Sequence, residues 1–253
     1  ALAKLRYSPE VLLLPSPAST ARPNLRRPRD LHEIVTAVPP RPKKAVASPA
    51  NGSIGLWPVS THPHLEESLQ REIDVIRERA KTMGALCEKA LRDCMTALAT
   101  RDRQAAYAII LRDRNIDALE KDLDRLCLEF IARQQPVAGL LRFAHATFKI
   151  ALELERVGDY AESIAKQIVK LADQPADIPL DRFHQMADLS IPMLHDAMQA
   201  YVSQDAELAR RTAATERTVD ALKSGLTREL MMRTRTEDLP FDALNPLIVV
   251  AKR

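Results

Sequence analysis

Six acidic side chains stand at spacings that could hold a metal ion. Asp113, Asp117, Glu120 and Asp124 step by four, three and four residues, and Glu155 and Asp159 lie four apart. On a helix each set falls on one face, where like charges four apart repel by roughly 0.2–0.5 kcal/mol per pair. A cation over the two sets would offset that repulsion. An oxygen-only donor set, without His or Cys, suits hard cations such as Mg²⁺, Mn²⁺ or Ca²⁺, or iron. The plainer alternative is a solvated acidic face with Arg112, Arg114, Lys121 and Arg156 as partners. Gly158 sits between Glu155 and Asp159. In a helix interior glycine costs about 1 kcal/mol relative to Ala, and its missing side chain lets another group approach the backbone.

Other chemistry finds little support. A di-iron oxidase bundle needs Glu-x-x-His pairs, and the nearest approach is the unpaired Asp181-x-x-His184. His145 and His195 stand on separate helices among apolar neighbours and read as packing or surface residues. Ser163 has no recognisable base partner, and six glycines in the whole chain leave no phosphate-cradling loop. Cys87, Cys94 and Cys127 fall on apolar helix faces without metal-ligand spacing, which reads as buried free thiols in a reducing cytoplasm. No apolar run approaches the roughly 18 residues of a membrane-spanning helix, so a soluble protein without catalytic machinery is expected.

The elements that must position the acidic pairs are long helices. From His64 one apolar stripe runs from Leu65 through Met83 to Leu98, giving a first helix of nearly 36 residues and roughly 54 Å. A second helix spans about Arg103 to Arg133. A third, about Ala138 to Leu171, carries Ile150, Leu154, Val157, Ala161, Ile164 and Ile168 at steps of four and three. Short turns between them make an up-down-up bundle over residues 64–172. After a linker from Asp173 to Pro179 the pattern repeats with a shift of 103 residues. Ala97 and Asp102 become Ala200 and Asp205, and Asp113, Asp117 and Leu119 become Glu216, Asp220 and Leu222. This is an internal duplication, so residues 180–253 form a second three-helix bundle: about Arg182 to Ser203, kinked at Pro192, Ala206 to Arg235, and Asp242 onward. The last helix is truncated. The second copy of the Glu-x-x-x-Asp motif would begin just beyond Arg253, and the chain is expected to continue into it. The fold class is all-α, two tandem homologous three-helix bundles.

Charge is unevenly placed. Residues 1–60 hold nine Lys and Arg against three acids, and ten of the seventeen prolines, so the net charge of +3 belongs to that tail and the remainder is mildly acidic. A tail of this composition is expected to be disordered, and to be upstream read-through with the native start near Val59 to Thr61. An acidic body argues against nucleic-acid binding, which rests on a concentrated basic surface.

The segment Leu154-Glu155-Arg156-Val157-Gly158-Asp159-Tyr160-Ala161-Glu162-Ser163-Ile164-Ala165 resembles the signature of the PhoU family. Met83-Gly84, Arg112 to Glu120, and Ile131-Ala132-Arg133-Gln134-Gln135-Pro136 agree with it in order, and the resemblance covers about residues 65 to 253. It implies PhoU-like bundles and metal sites at the Glu/Asp-x-x-x-Asp motifs: Asp113, Asp117, Glu155 and Asp159 in the first repeat, Glu216 and Asp220 in a half-present second. The metal would be Mg, Mn or Fe. It also implies a cytoplasmic, non-enzymatic regulator of phosphate uptake, by analogy a homodimer. The implied partners are the ATPase of the phosphate ABC transporter and the phosphate-sensing histidine kinase. Contact with the membrane would come only through those partners, and the outcome would be repression of the phosphate-starvation response. The alternatives are a carboxylate-bridged metal-dependent enzyme and a metal-free helical scaffold.

Overall fold

The computed structural model describes residues 63–174, 177–236 and 239–253, and every regular element among them is an α-helix. The elements are α1 (Pro63–Thr100), α2 (Arg103–Gln134), α3 (Ala138–Leu171), α4 (Leu180–Ser203), α5 (Ala206–Arg235) and α6 (Phe241–Lys252). The tail expected at residues 1–60 lies outside the described residues. No helix among them is long and apolar enough to cross a membrane.

The duplication is visible in backbone chemistry. Asp102 caps α2 by accepting from the Ala105 amide, and Asp205 caps α5 by accepting from Glu207 and Leu208. Each satisfies amides that have no partner inside the helix. The residues just before them, Arg101 and Gln204, both take the left-handed conformation, with φ of 55° and 58°. The Asp102 amide bonds the Ala97 carbonyl at 3.1 Å, and the Asp205 amide bonds the Ala200 carbonyl at 2.9 Å. One tight helix-ending turn is thus built twice, 103 positions apart. Pro192 lies inside the fourth helix, which runs unbroken from Leu180 to Ser203.

The two repeats do not keep separate cores. α1 packs on α2, α3 and α4, and α6 packs on α3 and α5. One apolar cluster joins Cys94, Leu98 and Ile168 of the first repeat to Phe183, Leu230 and Leu247 of the second. The other is built from Met83, Leu123, Phe130, Phe143 and Ile150, and α4 adds Met198 and Tyr201 to it. Tyr201 is 1 % exposed. Its ring stacks on Phe143 with centroids 6.2 Å apart, its hydroxyl lies 2.7 Å from that of Thr147, and Phe143 meets Phe130 edge-on at 6.5 Å. The thiols work as small core hydrophobes: Cys87 donates to the Leu154 carbonyl and Cys94 to that of Ala161. Burial pushes both up to about 12, which leaves them protonated and unreactive near neutral pH.

α3 meets its neighbours through small residues at heptad spacing. Ala144, Ala151 and Gly158 are all buried, and Gly158 faces Asp113 and Ile116 of α2. This close approach brings the two acidic stripes together.

Candidate metal centre

α2 and α3 are long, in contact and joined by three residues, so they run antiparallel, and residues progressing along α2 meet residues regressing along α3. At the level of Gly158 a carboxylate oxygen from each of Asp113, Asp159 and Glu162 lies within 4.8 Å of the others. A Cβ at position 158 would stand 2.8 Å from the Asp113 Oδ1 atom and 3.0 Å from the Ile116 Cδ1 atom. Glycine is therefore what admits Asp113 to the α3 backbone and sets the width of the cluster. Beside it is a cavity of about 70 Å³ bounded by Asp113, Glu162 and Gly158 and by Leu86, Ile109 and Ile116, roomy enough for water.

The electrostatics show carboxylates held against their preference. Asp113 is pushed up from 3.8 to about 6, first by burial and then by the charges of Asp117, Glu162 and Asp159, with Lys166 opposing. Glu155 is raised by burial and then by Asp159 and Asp117. Glu120 is raised by burial and then by Asp124. In the folded protein Asp113 holds its proton more tightly than in the unfolded chain. Its contribution thus favours folding in acid and is lost as pH rises from about 4 through about 6. After chelator treatment the Asp113 carboxyl carbon should titrate near pH 6 by ¹³C NMR, and D117N should move that midpoint down. A midpoint near 4 in the wild type would contradict the arrangement.

Of the residues expected to hold metal in the first repeat, Asp113 and Asp159 come together. Asp117 and Glu155 sit one turn away, close enough to feel the same charges but outside the trio. Glu162 takes the third place. Its signal was present in the sequence, since it continues the four-three step from Glu155 through Asp159 on the same face. Glu216 and Asp220 stand elsewhere, in a groove of about 320 Å³ that Leu91, Val157, Tyr160 and Arg253 also line. Asp220 is paired with Lys223, and neither acid belongs to a three-carboxylate group among the described residues.

A hard cation takes about six oxygen ligands, and Mg²⁺ characteristically keeps several waters. Three convergent carboxylates over a glycine-made gap, with water-sized room beside them, fit that requirement.

The family model described as PhoU domain matches twice, at residues 80–168 and 183–250. The chain belongs to the PhoU family. The two PhoU domains coincide with the two halves of the duplication. The chain is 35% identical over 163 residues to a phosphate-specific transport system accessory protein PhoU homolog of Aquifex aeolicus, covering 64% of this chain and 74% of that one. It is 31% identical over 173 residues to the phosphate-specific transport system accessory protein PhoU of Escherichia coli K12, covering 68% and 72%. Among solved structures, PhoU from Pseudomonas aeruginosa superposes with a TM-score of 0.69 at 26% identity, covering 72% of this chain and 88% of that one.

Proposed function

We propose that this PhoU protein is a cytoplasmic regulator of phosphate uptake. It acts as an adaptor between the ATPase of a phosphate ABC transporter and a phosphate-sensing histidine kinase, and it represses the phosphate-starvation response when phosphate is plentiful. The relatives are phosphate-specific transport accessory proteins by name, and a frame of rigid helices offers extended surfaces to partners rather than a reaction cleft. The observation that carries the mechanistic part is the Asp113–Asp159–Glu162 cluster over Gly158. A divalent cation or iron held there, with Asp117 and Glu155 adding field, would fix α2 against α3 and present a defined acidic face. Glu216 and Asp220 are the matching half-site of the second repeat. The protein reaches the membrane only through its partners and works as a homodimer. We assign it no catalytic step.

The test is a pull-down from membranes containing the transporter and the kinase, with wild type and the E155Q/D159N double variant side by side, and a melting measurement with and without Mn²⁺. Ligand that binds only the folded state raises stability as its concentration exceeds Kd, by about 2.7 kcal/mol at one hundred times Kd. The expected result is ATPase or kinase recovered with the wild type, less with the variant, and a Tm rise in Mn²⁺ that the variant loses. Equal recovery and equal melting for both would remove the metal-dependent part; recovery of neither partner by a folded wild type would remove the adaptor.

A further inference from the structure

The cluster carries its own cation. Lys166 lies one turn beyond Glu162 on α3, and its ammonium is in direct ion-pair contact with the Glu162 carboxylate. Ion pairs four residues apart are common on this protein's surface: Lys89 with Asp93, Arg92 with Glu88, and Arg125 with Glu129. Among the described residues those acceptors belong to no convergent group of three carboxylates, whereas Glu162 has an oxygen within 4.8 Å of those of Asp113 and Asp159. Lys166 also acts on Asp113 itself, where its charge opposes the three acids around it.

Building on the metal reading above, we infer that Lys166 is a resident counter-ion that occupies Glu162 until a divalent cation displaces it. The reasoning is electrostatic. Three carboxylates with oxygens this close repel unless a positive charge sits among them; Lys89 and Arg112 line the same cavity but are paired with Asp93, whereas Lys166 is paired with a member of the trio itself. A divalent ion brings twice the charge to the centre of the group and takes the Glu162 oxygen as a ligand. The ammonium then faces a like charge a few ångströms away, and its long flexible stem lets it swing to solvent, because its side chain is about half exposed already. Glu162 thus has two alternative partners, one covalently tethered and one from solution, and the tether sets the threshold at which the metal binds. Two unit charges about 5 Å apart interact appreciably even in water-like surroundings, and the metal carries double charge, so the threshold is worth a several-fold change in affinity and weakens with salt.

The experiment measures Mn²⁺ binding by calorimetry in wild type, K166M, E162Q, the E162Q/K166M double variant and D113N/D159N, with lysine ¹⁵N NMR during a Mg²⁺ titration. K166M keeps the aliphatic stem on an exposed face, so folding is preserved. It should bind Mn²⁺ about 5- to 20-fold more tightly than wild type at low salt, and the gain should shrink at 0.5 M salt. E162Q should weaken binding about tenfold, and on that background K166M should give a much smaller gain, because the ion pair is gone and only the action of Lys166 on Asp113 remains. The Lys166 ammonium signal should lose its ion-pair character as Mg²⁺ saturates. Unchanged or weaker binding by K166M, an equal gain on the E162Q background, or a Lys166 signal indifferent to Mg²⁺ would overturn the inference. If binding is abolished in D113N/D159N while K166M matches wild type, the metal site stands and the counter-ion falls. If the wild type binds no Mn²⁺, both fall.

Discussion

Alanine at position 201 should destabilise the protein by about 3–5 kcal/mol, as truncation of a fully buried aromatic does. Tyr201 comes from α4, yet the space it fills belongs to the first repeat, between Phe143 and Thr147. The loss should therefore be felt on both sides of the linker. Urea unfolding should show a lower midpoint, and amide exchange should accelerate in α2 and α3 as well as in α4. Y201F separates packing from hydrogen bonding. It keeps the ring stack and gives up one hydroxyl contact, for about 1 kcal/mol, and Thr147 still donates to the Phe143 carbonyl. If Y201A costs less than about 1 kcal/mol, or if faster exchange is confined to α4, the shared core described above is wrong.

Valine at position 158 is the second large effect. A Cβ there meets Asp113 and Ile116 inside contact distance, and the added methyls deepen the clash against a packed neighbour. Overpacking of this kind costs about 1–3 kcal/mol. Alanine is the more informative substitution. It gains about 1 kcal/mol of helix propensity over glycine, which offsets much of the strain, so G158A should remain close to wild type in stability. Its Asp113 oxygen must nevertheless move away from α3, and Mn²⁺ affinity should fall about tenfold or more. Stability retained with affinity lost would show that Gly158 serves the site. Affinity retained in G158A would show that the width of the cluster is not set there.

The helices of the first repeat were legible because each carries a three-four apolar pattern, whereas Ala206–Arg235, which buries only Ala209, Thr212, Leu226 and Leu230, was legible through the repeat. The duplication was legible because Ala97 and Asp102, and the run from Asp113 to Leu119, recur in kind at one shift. Gly158 also announced itself, as a helix-interior glycine between two acids with no local reason to be there. Glu162 was harder to see. Its side chain joins the site only because α2 arrives at the level of Asp113 and not one turn along, and that register depends on how Ala144, Ala151 and Gly158 seat the neighbouring helix. Glu216 and Asp220 show the converse. Their spacing equals that of Asp113 and Asp117, but among the described residues they open onto a groove that Tyr160 and Arg253 also line, and join no third carboxylate. Spacing along one helix states what a face can offer. Only the packing of a second helix decides what it receives.

The exchange of packing between the repeats has a bearing on ancestry. α1 lies against α4, and α3 against α6, so the first helix of one repeat meets the first of the other, and the third meets the third. Contacts between equivalent elements are the mark of a two-fold, self-complementary interface. The molecule has the anatomy of a pair of identical short chains joined end to end, and residues 173–179 are the joint. An ancestor of a single repeat would have lacked its counterpart of Tyr201 unless a twin supplied it. In the joined chain that supply is built in, because Tyr201 comes from the second repeat and packs on Phe143 of the first.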